Sequence, residues 1–191
     1  MNYDPNVISS LCAWNEYPTK EIQTEGGPVR LRSVQSVEEL IEVENLLRSS
    51  AEQGVGFGID EFDSNGHFNR KFLRSPDIIV AESTDGQIVG ATLFGASGLS
   101  RATKHTLAHF YVTVKDTHAH KGLGGSLANH SMDVLKNLGY SMVITDAYMN
   151  NFPMLQILRR EKFFASGCMP YCAYLKNHGA LDSLLFYKVL N

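Results

Sequence analysis

A short glycine-rich run is the part of the sequence whose residue types and spacing point most directly to chemistry. It reads A-H-K-G-L-G-G-S from Ala119 to Ser126, and it follows a β-rich segment that ends at Val114. Glycines lack the Cβ that would keep a phosphate away from the backbone, and they tolerate positive φ angles. Where such a loop opens a helix, free N–H groups and the helix dipole attract an anion. The run therefore predicts a backbone site for a phosphate-bearing cofactor, with a plain strand-to-helix turn as the alternative.

This run resembles the acetyl-CoA loop of the GNAT superfamily of N-acetyltransferases. In that loop Gln or Arg is followed by two residues of any type, Gly, any residue, and Gly or Ala. Here A-H-K-G-L-G begins with Ala119 instead of Gln or Arg, and Val114 occupies the position of the strand-end valine. A P-loop or a dinucleotide fingerprint needs a different spacing. Downstream, residues 151–163 resemble the second motif of the family, an Asn, a helix and a Phe.

The resemblance implies acetyl-CoA as a cosubstrate and no metal. It also implies that the edge of the preceding strand pairs with the pantetheine arm. Asn151 would contact that arm or the reacting amine, although an N-cap of the following helix is an equal alternative. The implied cofactor-binding set is Tyr111, Val112, Thr113, Val114, Ala119, His120, Lys121, Gly122, Leu123, Gly124, Gly125, Ser126 and Asn151.

Acetyl transfer to an amine also requires that the amine lose a proton before it attacks. In the related ribosomal-protein alanine acetyltransferases a Glu precedes the motif Asn by five positions, and Asp146 occupies that position here. We expect an Asp at the end of a buried strand to have a raised pKa and to act as the base, with a turn cap or an ion pair as the alternative. His109 is a second candidate, since imidazole titrates near neutrality; a core histidine is its alternative.

A proton donor for the leaving thiolate is harder to assign. Many relatives carry a Tyr on the helix after the Asn, but Leu158 stands at that position here. Either the thiolate leaves without a protein acid, or Tyr148 or Tyr171 supplies the proton. The predicted catalytic residues are therefore Asp146, His109 and Tyr148.

Residues 54–66 form a glycine-rich, acidic segment that predicts a long loop. Its carboxylates alternate with aromatic side chains, a combination that suits a cationic amine through charge and cation–π contact. A solvated acidic loop is the alternative. The predicted acceptor-binding residues are Phe57, Asp60, Glu61 and Phe62.

The elements that would position these residues form an α/β (α+β) pattern. An alternating strand begins at Val29, and Ser36 with Glu39 forms a capping box ahead of a helix that ends near 53–54. A short helix over 68–74 precedes a hairpin with a D-G turn, and strand, helix, strand, helix and two closing strands follow. We expect a GNAT fold with a mixed, mostly antiparallel central sheet of about seven strands and helices on both faces. Residues 1–27 are predicted to be an extension, and 28–191 the acetyltransferase domain.

Composition excludes several classes of protein. The chain has 191 residues, a formal net charge of −3 and no dense Lys/Arg run, which argues against nucleic-acid or membrane-surface binding. No apolar run is long enough to cross a membrane, and no secretory signal is evident at the N-terminus. Its three cysteines lack a disulfide framework or a zinc spacing, which predicts a cytoplasmic protein.

The predicted function is acetyl transfer to a small amine, such as an amino acid, an amino-acid analogue or a polyamine-like molecule, by direct attack in a ternary complex. The C-terminal part resembles a fungal branch of the superfamily that acetylates proline analogues such as azetidine carboxylate, at Phe163, Gly167, Pro170 and the pair Tyr187-Lys188. A protein or peptide N-acetyltransferase and a non-catalytic CoA-binding module are the alternatives. Because relatives often dimerise through their C-terminal strands, a homodimer is a further expectation.

Overall fold

A single eight-stranded sheet organises the chain, in the order β1-β2-β3-β4-β5-β6-β8-β7. The computed structural model describes residues 15–62, 67–68, 77–99 and 107–190. The strands are β1 Lys20–Thr24, β2 Gly27–Ser33, β3 Asp77–Ser83, β4 Ile88–Ala96, β5 Leu107–Val114, β6 Met142–Tyr148, β7 Phe164–Leu175 and β8 Gly179–Val189. The helices are α1 Val37–Glu52, α2 Leu123–Asn137 and α3 Phe152–Arg160, with 3₁₀ turns at Ile59–Glu61 and Asp116–His118. The predicted mixed, mostly antiparallel sheet is confirmed, with eight strands where about seven were expected.

The additional strand is β1, which falls within the segment predicted to be an extension. It forms a hairpin with β2 at the edge of the sheet. Gly27 takes a φ of 109° after the turn, and the Thr24 hydroxyl donates to the Gly27 carbonyl at 2.8 Å. This strand was not predicted because the sequence of 15–27 is polar. An edge strand buries few side chains, so it lacks the apolar alternation by which a strand is identified.

Helices cover both faces of the sheet, as predicted. On one face α2 and α3 pack their apolar residues, among them Leu127, Leu135 and Leu158, against the sheet. On the other face α1 contributes Leu40 and Leu47 to a second core. Neighbouring residues of β3 point into different cores, as the two-residue period of a strand requires.

The start of α1 is only partly the predicted capping box. Ser36 is the N-cap, and its side chain accepts from the Glu39 N–H at 3.3 Å. The Glu39 carboxylate does not return to Ser36. It accepts from the Gln35 N–H at 2.8 Å and from the buried Arg32 guanidinium at 2.8 and 3.0 Å. A charged partner from β2 therefore competes successfully with the backbone donor.

Both closing strands are longer than the sequence pattern indicates. The pattern of the sequence indicates closing strands at 164–169 and 184–189, whereas β7 and β8 run over 12 and 11 residues. Their pairing shifts register between Met169 and Ala173, and Tyr171 takes a φ of 52° there. This irregularity, next to Pro170, interrupts the alternation by which a strand is identified.

The predicted short helix over 68–74 lies, apart from Phe68, outside the described residues. Phe68 itself forms an isolated bridge with Phe62. Among the helices of the described ranges, none combines the length and the apolar character needed to cross a membrane.

The feature that shapes the site is the contact between β5 and β6, the one parallel pair of the described strands. Their pairing covers Leu107 with Met142, Ala108 with Val143 and His109 with Ile144, and the described strands do not pair beyond these residues. β5 nevertheless stays paired with β4 as far as Val114, and β6 with β8 as far as Tyr148. The two strands therefore diverge, and a gap opens in the middle of the sheet.

Candidate active site

A cleft of about 550 Å³ lies along the diverging end of β5. Its walls are Val112 to Val114, the end of α1 with the residues after it, the glycine-rich run and α3. Because β6 has separated from β5 here, this edge of β5 is open and its polar backbone groups can bind a ligand. An extended ligand laid along the cleft would take the place of a neighbouring strand.

The glycine-rich run closes one end of the cleft, and its glycines have different tasks. Gly122 is the N-cap of α2 with a φ of 87°, a conformation that disfavours other residues. A Cβ on Gly124 would lie 3.0 Å from the Ile157 side chain, so a glycine lets α2 and α3 pack closely. A Cβ on Gly125 would meet no atom within 4 Å, which leaves open space in front of the helix. The first N–H groups of α2, which have no acceptor within the helix, border that space.

The predicted cofactor residues divide into those that line the cleft and those that do not. Tyr111 lines a smaller cavity described below, while the Leu123 side chain is 1% exposed and belongs to the core. Lys121 turns away from the cleft, since its Nζ donates to the Thr117 carbonyl at 2.8 Å. Ser126 donates its N–H to the Gly122 carbonyl at 3.1 Å, as the first full turn of α2 requires. The predicted residues that line the cleft are Val112, Thr113, Val114, Ala119, His120, Gly122, Gly124, Gly125 and Asn151.

One wall of the cleft was not predicted, although the sequence contains a signal for it. Pro153, Gln156, Ile157 and Arg160 line the cleft from α3. They are spaced i, i+3, i+4 and i+7, which is one face of a helix. Arg160 brings a cation to a cleft in which Ala119 stands where the resemblance implies Gln or Arg.

Asn151 is an N-cap, which is the alternative that the sequence left open for it, and it also lines the cleft. It is the N-cap of α3, and its side chain accepts from the Met154 N–H at 3.2 Å. Its amide also approaches Gly56, where an added Cβ would lie 2.9 Å from Asn151 Nδ2. The asparagine therefore fixes the loop after α1 against the start of α3.

A second cavity, of about 60 Å³, lies where β5 and β6 begin to part. It shares Gly56, Phe57, Val112, Asn151 and Met154 with the large cleft, so the two spaces meet. Its other walls bring together β5, β6 and the 3₁₀ turn after α1: Glu61, Phe110, Tyr111, Thr145, Asp146, Ala147 and Tyr148.

Glu61 enters this cavity from the 3₁₀ turn with one oxygen fixed. Its Oε1 accepts from the Gly58 N–H and from the Tyr148 hydroxyl, both at 2.7 Å. Oε2 makes no hydrogen bond to any part of the chain that the structure describes. Burial raises the pKa of Glu61 above its ordinary value, although both hydrogen bonds act in the opposite direction. The predicted acceptor-binding residue is thus a carboxylate with the properties expected of a base.

Asp146 lies in the same cavity, but its environment is different. Its Oδ2 accepts from the buried Ser183 hydroxyl at 2.7 Å, and its Oδ1 lies 3.6 Å from His109 Nε2. Burial acts to raise the pKa of Asp146, but the contacts with His109 and Ser183 outweigh it and hold the pKa below its ordinary value. The expectation of a raised pKa at Asp146 is therefore wrong, because the sequence did not show that β8 and β5 supply partners.

His109 is 6% exposed, and neither ring nitrogen has a hydrogen-bond partner within the described residues. At 3.6 Å its Nε2 is too far from Asp146 for a hydrogen bond, so the two attract as an ion pair when the imidazole is protonated. The ring lies against Tyr111, with 4.8 Å between the ring centroids. His109 therefore contacts Asp146 and Tyr111 but does not itself line the cavity.

Of the tyrosines considered as proton donors, Tyr148 reaches the cavity and Tyr171 does not. Tyr148 is buried and donates to Glu61, whereas Tyr171 is 82% exposed. Burial and the neighbouring Glu61 carboxylate raise the pKa of Tyr148 well above its usual value. The phenol therefore stays protonated and acts as a hydrogen-bond donor.

The other predicted acceptor-binding residues differ in whether they line the cavity. Phe57 is buried and lines both spaces, while Asp60 is exposed next to Glu61. Phe62 packs on Phe68, with Arg48 5.9 Å from its ring centroid, and lines neither space. Within the described ranges, no three His, Cys, Asp or Glu side chains are grouped so that they could hold a metal ion.

Comparison with known proteins is consistent with this arrangement. A model of the "Acetyltransferase (GNAT) family" matches residues 40–163, which include the glycine-rich run, both diverging strands and α3. No curated protein sequence matches the chain.

Solved structures resemble the fold at low sequence identity. A GCN5-related N-acetyltransferase from Kribbella flavida has a TM-score of 0.72 at 14% identity, covering 85% of this chain and 98% of that one. A phosphinothricin acetyltransferase from Sinorhizobium meliloti in complex with AcCoA has a TM-score of 0.68 at 17% identity, covering 89% and 90%. A ribosomal-protein-alanine N-acetyltransferase from Brucella melitensis has a TM-score of 0.66 at 17% identity, covering 84% and 99%. Proteins with different acceptors are therefore similar to this chain to nearly the same degree.

Proposed function

The chain belongs to the acetyltransferase (GNAT) family, and we propose that it transfers the acetyl group of acetyl-CoA to the amine of a small molecule. The observation that carries the proposal is the junction of the two spaces. A long cleft with a backbone anion site at one end meets a small cavity that contains two carboxylates. The junction is lined by Val112 on the open edge of β5, and the acetyl group and the amine would meet there.

The residues of the large cleft fit acetyl-CoA in charge and in shape. The first turn of α2, together with Arg160 and His120, would hold the phosphates. The open edge of β5 from Val112 to Val114 would bind the pantetheine arm by backbone hydrogen bonds. Bound in this way, acetyl-CoA supplies an activated acetyl group: a C–N bond to the amine forms and the C–S bond breaks. The proton that the attacking nitrogen still has to lose goes to the leaving sulfur, so CoA leaves as the thiol.

We assign the base to Glu61 because its pKa is raised and its Oε2 is free of hydrogen bonds within the described chain. The ammonium proton of the acceptor passes to Glu61, which leaves the lone pair of the amine available for attack. Tyr148 donates to Oε1 and keeps the other oxygen turned to the cavity. These roles make Glu61 a catalytic residue and Tyr148 a positioning residue.

Asp146 and His109 have a supporting role in this proposal. The lowered pKa keeps Asp146 ionised, so it accepts protons poorly but attracts an ammonium group strongly. His109 lies next to Asp146, with its Nε2 3.6 Å from Oδ1. Asp146 would therefore orient the protonated amine until Glu61 removes its proton.

Several finer expectations stay predictions. They include the fungal proline-analogue branch, the division into an extension over 1–27 and a domain over 28–191, a cytoplasmic location and a homodimer. The one observation that supports a homodimer is β7, an edge strand of 12 residues without a charged side chain. Such an edge readily pairs with another strand.

The test measures release of CoA thiol and formation of acetylated product, with acetyl-CoA and a panel of small amines. Glu61→Gln preserves an oxygen for both hydrogen bonds and removes the base, so kcat should fall by about 10²–10⁴. Glu42→Gln, on the exposed face of α1, is the matched control and should leave the rate unchanged. Asp146→Asn should lower kcat by less than Glu61→Gln does.

Other outcomes point to other functions. Turnover of peptides but of no free amine would identify a protein or peptide acetyltransferase. A melting-temperature increase with acetyl-CoA but no turnover of any acceptor would indicate a CoA-binding module without catalysis. A larger loss of kcat in Asp146→Asn than in Glu61→Gln would move the base to Asp146.

A further inference from the structure

We infer that the acceptor is a compact cationic amine without a carboxylate on the carbon that bears the nitrogen. The inference rests on the proposed function and deepens it, since it separates plain amines from amino acids as substrates. It follows from the charges, the size and the walls of the small cavity.

The charged groups that face the cavity are predominantly acidic. Glu61 and Asp146 line it, and the exposed Asp60 is the residue next to Glu61. The nearest basic group is His109, whose Nε2 is directed at Asp146 Oδ1 from 3.6 Å. Among the described residues, no Lys or Arg lines this cavity. An incoming ammonium group is therefore attracted, whereas an incoming carboxylate meets charges of its own sign.

Two further observations show that the acidic groups act beyond the cavity wall. Burial, followed by the carboxylates of Asp146, Glu61 and Asp60, raises the pKa of Cys172 on β7. The same effects of burial and of the Glu61 and Asp146 carboxylates raise the pKa of Tyr111. The carboxylates of Glu61 and Asp146 therefore act on groups of both β5 and β7, although burial is the larger cause of both shifts.

The small volume of the cavity strengthens the discrimination between amines with and without a carboxylate. About 60 Å³ holds the nitrogen and its first carbon atoms, and little more. A carboxylate on the first carbon would share this small volume with Glu61 and Asp146, next to the rings of Phe57, Phe110 and Tyr111. The faces of aromatic rings suit the cation and the adjacent methylene groups, but they do not replace the hydration that a carboxylate loses on burial.

The experiment compares kcat/KM for pairs of acceptors that differ by one carboxylate. The pairs are agmatine and arginine, histamine and histidine, phenethylamine and phenylalanine, and azetidine and azetidine-2-carboxylate. Rates are compared at equal concentrations of the ammonium form, which is the form that Asp146 and Glu61 would bind, at a pH where both members of each pair are protonated. We expect the member without the carboxylate to be favoured by about 10²-fold, since like charges placed together in a binding site are strongly disfavoured. Its KM should also rise with ionic strength.

A variant separates attraction from simple steric fit. Asp146→Asn should raise the KM of the plain amines and reduce the preference within each pair by about tenfold. Asp133→Asn, on the exposed side of α2, should leave the preference unchanged. If the variant did not fold, the preference in the unmodified protein and its salt dependence would still test the inference.

A preference for the carboxylate-bearing members would overturn the inference and leave the proposed function intact. Equal kcat/KM within the pairs would overturn it as well, because the cavity charge would then have no effect on acceptor choice. If none of the eight compounds were acetylated, the proposed small-amine function and this inference would fail together.

Discussion

The large cleft and the small cavity offer a ligand different kinds of groups. The cleft relies on backbone groups: the first turn of α2, the open edge of β5 and a glycine with open space in front of it. The cavity relies on side chains, and its two carboxylates owe their properties to partners from other strands and loops. A backbone site is encoded in one continuous run of sequence, whereas a side-chain site exists only after four elements have assembled.

The sharpest way to test this contrast is to introduce a side chain where the cleft uses none. Gly125 is the third residue of α2, where Asp is favourable for a helix. Gly125→Asp should therefore preserve or raise the melting temperature. The same carboxylate would project toward the anion site, so the Kd for acetyl-CoA should rise by about 10²–10³.

The control for this substitution is Gly125→Ala, which adds a Cβ without a charge. It should raise stability by up to about 1 kcal/mol because Ala favours helix more than Gly does. Calorimetric titration with acetyl-CoA and with CoA would measure both variants. Tight binding by Gly125→Asp would show that the phosphates lie elsewhere, and the comparison between the two regions would no longer hold.

In the cavity, the corresponding test removes one hydrogen bond. Tyr148→Phe keeps the ring but takes away the donor to Glu61 Oε1. We expect kcat to fall about tenfold, because Glu61 loses the contact that fixes its orientation. Since that hydrogen bond lowers the pKa of Glu61, the pKa should rise further in the variant.

A purely structural role of Tyr148 would give a different pattern. The melting temperature would fall, while the pH dependence of kcat/KM would keep its midpoint. A movement of the acidic limb to higher pH, measured alongside the melting temperature, is therefore the result that identifies Tyr148 as a positioning residue for the base.

The backbone groups of the cleft could be predicted from the sequence, whereas the properties of the cavity side chains could not. The glycine-rich run, the strand before it and both layers of helices were predicted because each depends on neighbouring residues. Asp146 was found by its distance from Asn151, but the sign of its pKa shift was not. That sign depends on His109 and Ser183, which are 37 residues away from it in each direction. Glu61 was chosen as part of an acidic loop, and its burial against Tyr148 could not be read from local composition.

Glu61 should control the activity of the enzyme at low pH. A carboxyl with a raised pKa accepts a proton at a higher pH than an ordinary Glu, whose value is about 4.3. As pH falls through that raised pKa, Glu61 becomes protonated and cannot accept the amine proton, so kcat/KM should decline. The profile of Glu61→Gln should lack this limb, and a limb that persisted in the variant would belong to another group.

The smallest expected effects are on stability, and here the two carboxylates should behave in opposite ways. The pKa of Asp146 is lower in the folded protein than in the unfolded chain, so its ionised form stabilises the fold above the unfolded pKa, and this contribution is lost as pH falls. Asp146→Asn should therefore cost about 1 kcal/mol near neutral pH, or about 2–4 °C in Tm, and the difference from the unmodified protein should shrink in acid.

For Glu61 the sign is reversed. Its pKa is higher in the folded protein, so its contribution to stability is present at low pH and is lost as pH rises through the folded pKa. Glu61→Gln, which keeps an acceptor for Gly58 and Tyr148, should consequently leave Tm unchanged in acid and raise it slightly at neutral pH. Thermal unfolding of both variants across the same pH range measures this difference directly. Parallel curves for the two variants would contradict the opposite environments of the two carboxylates, on which the assignment of the base depends.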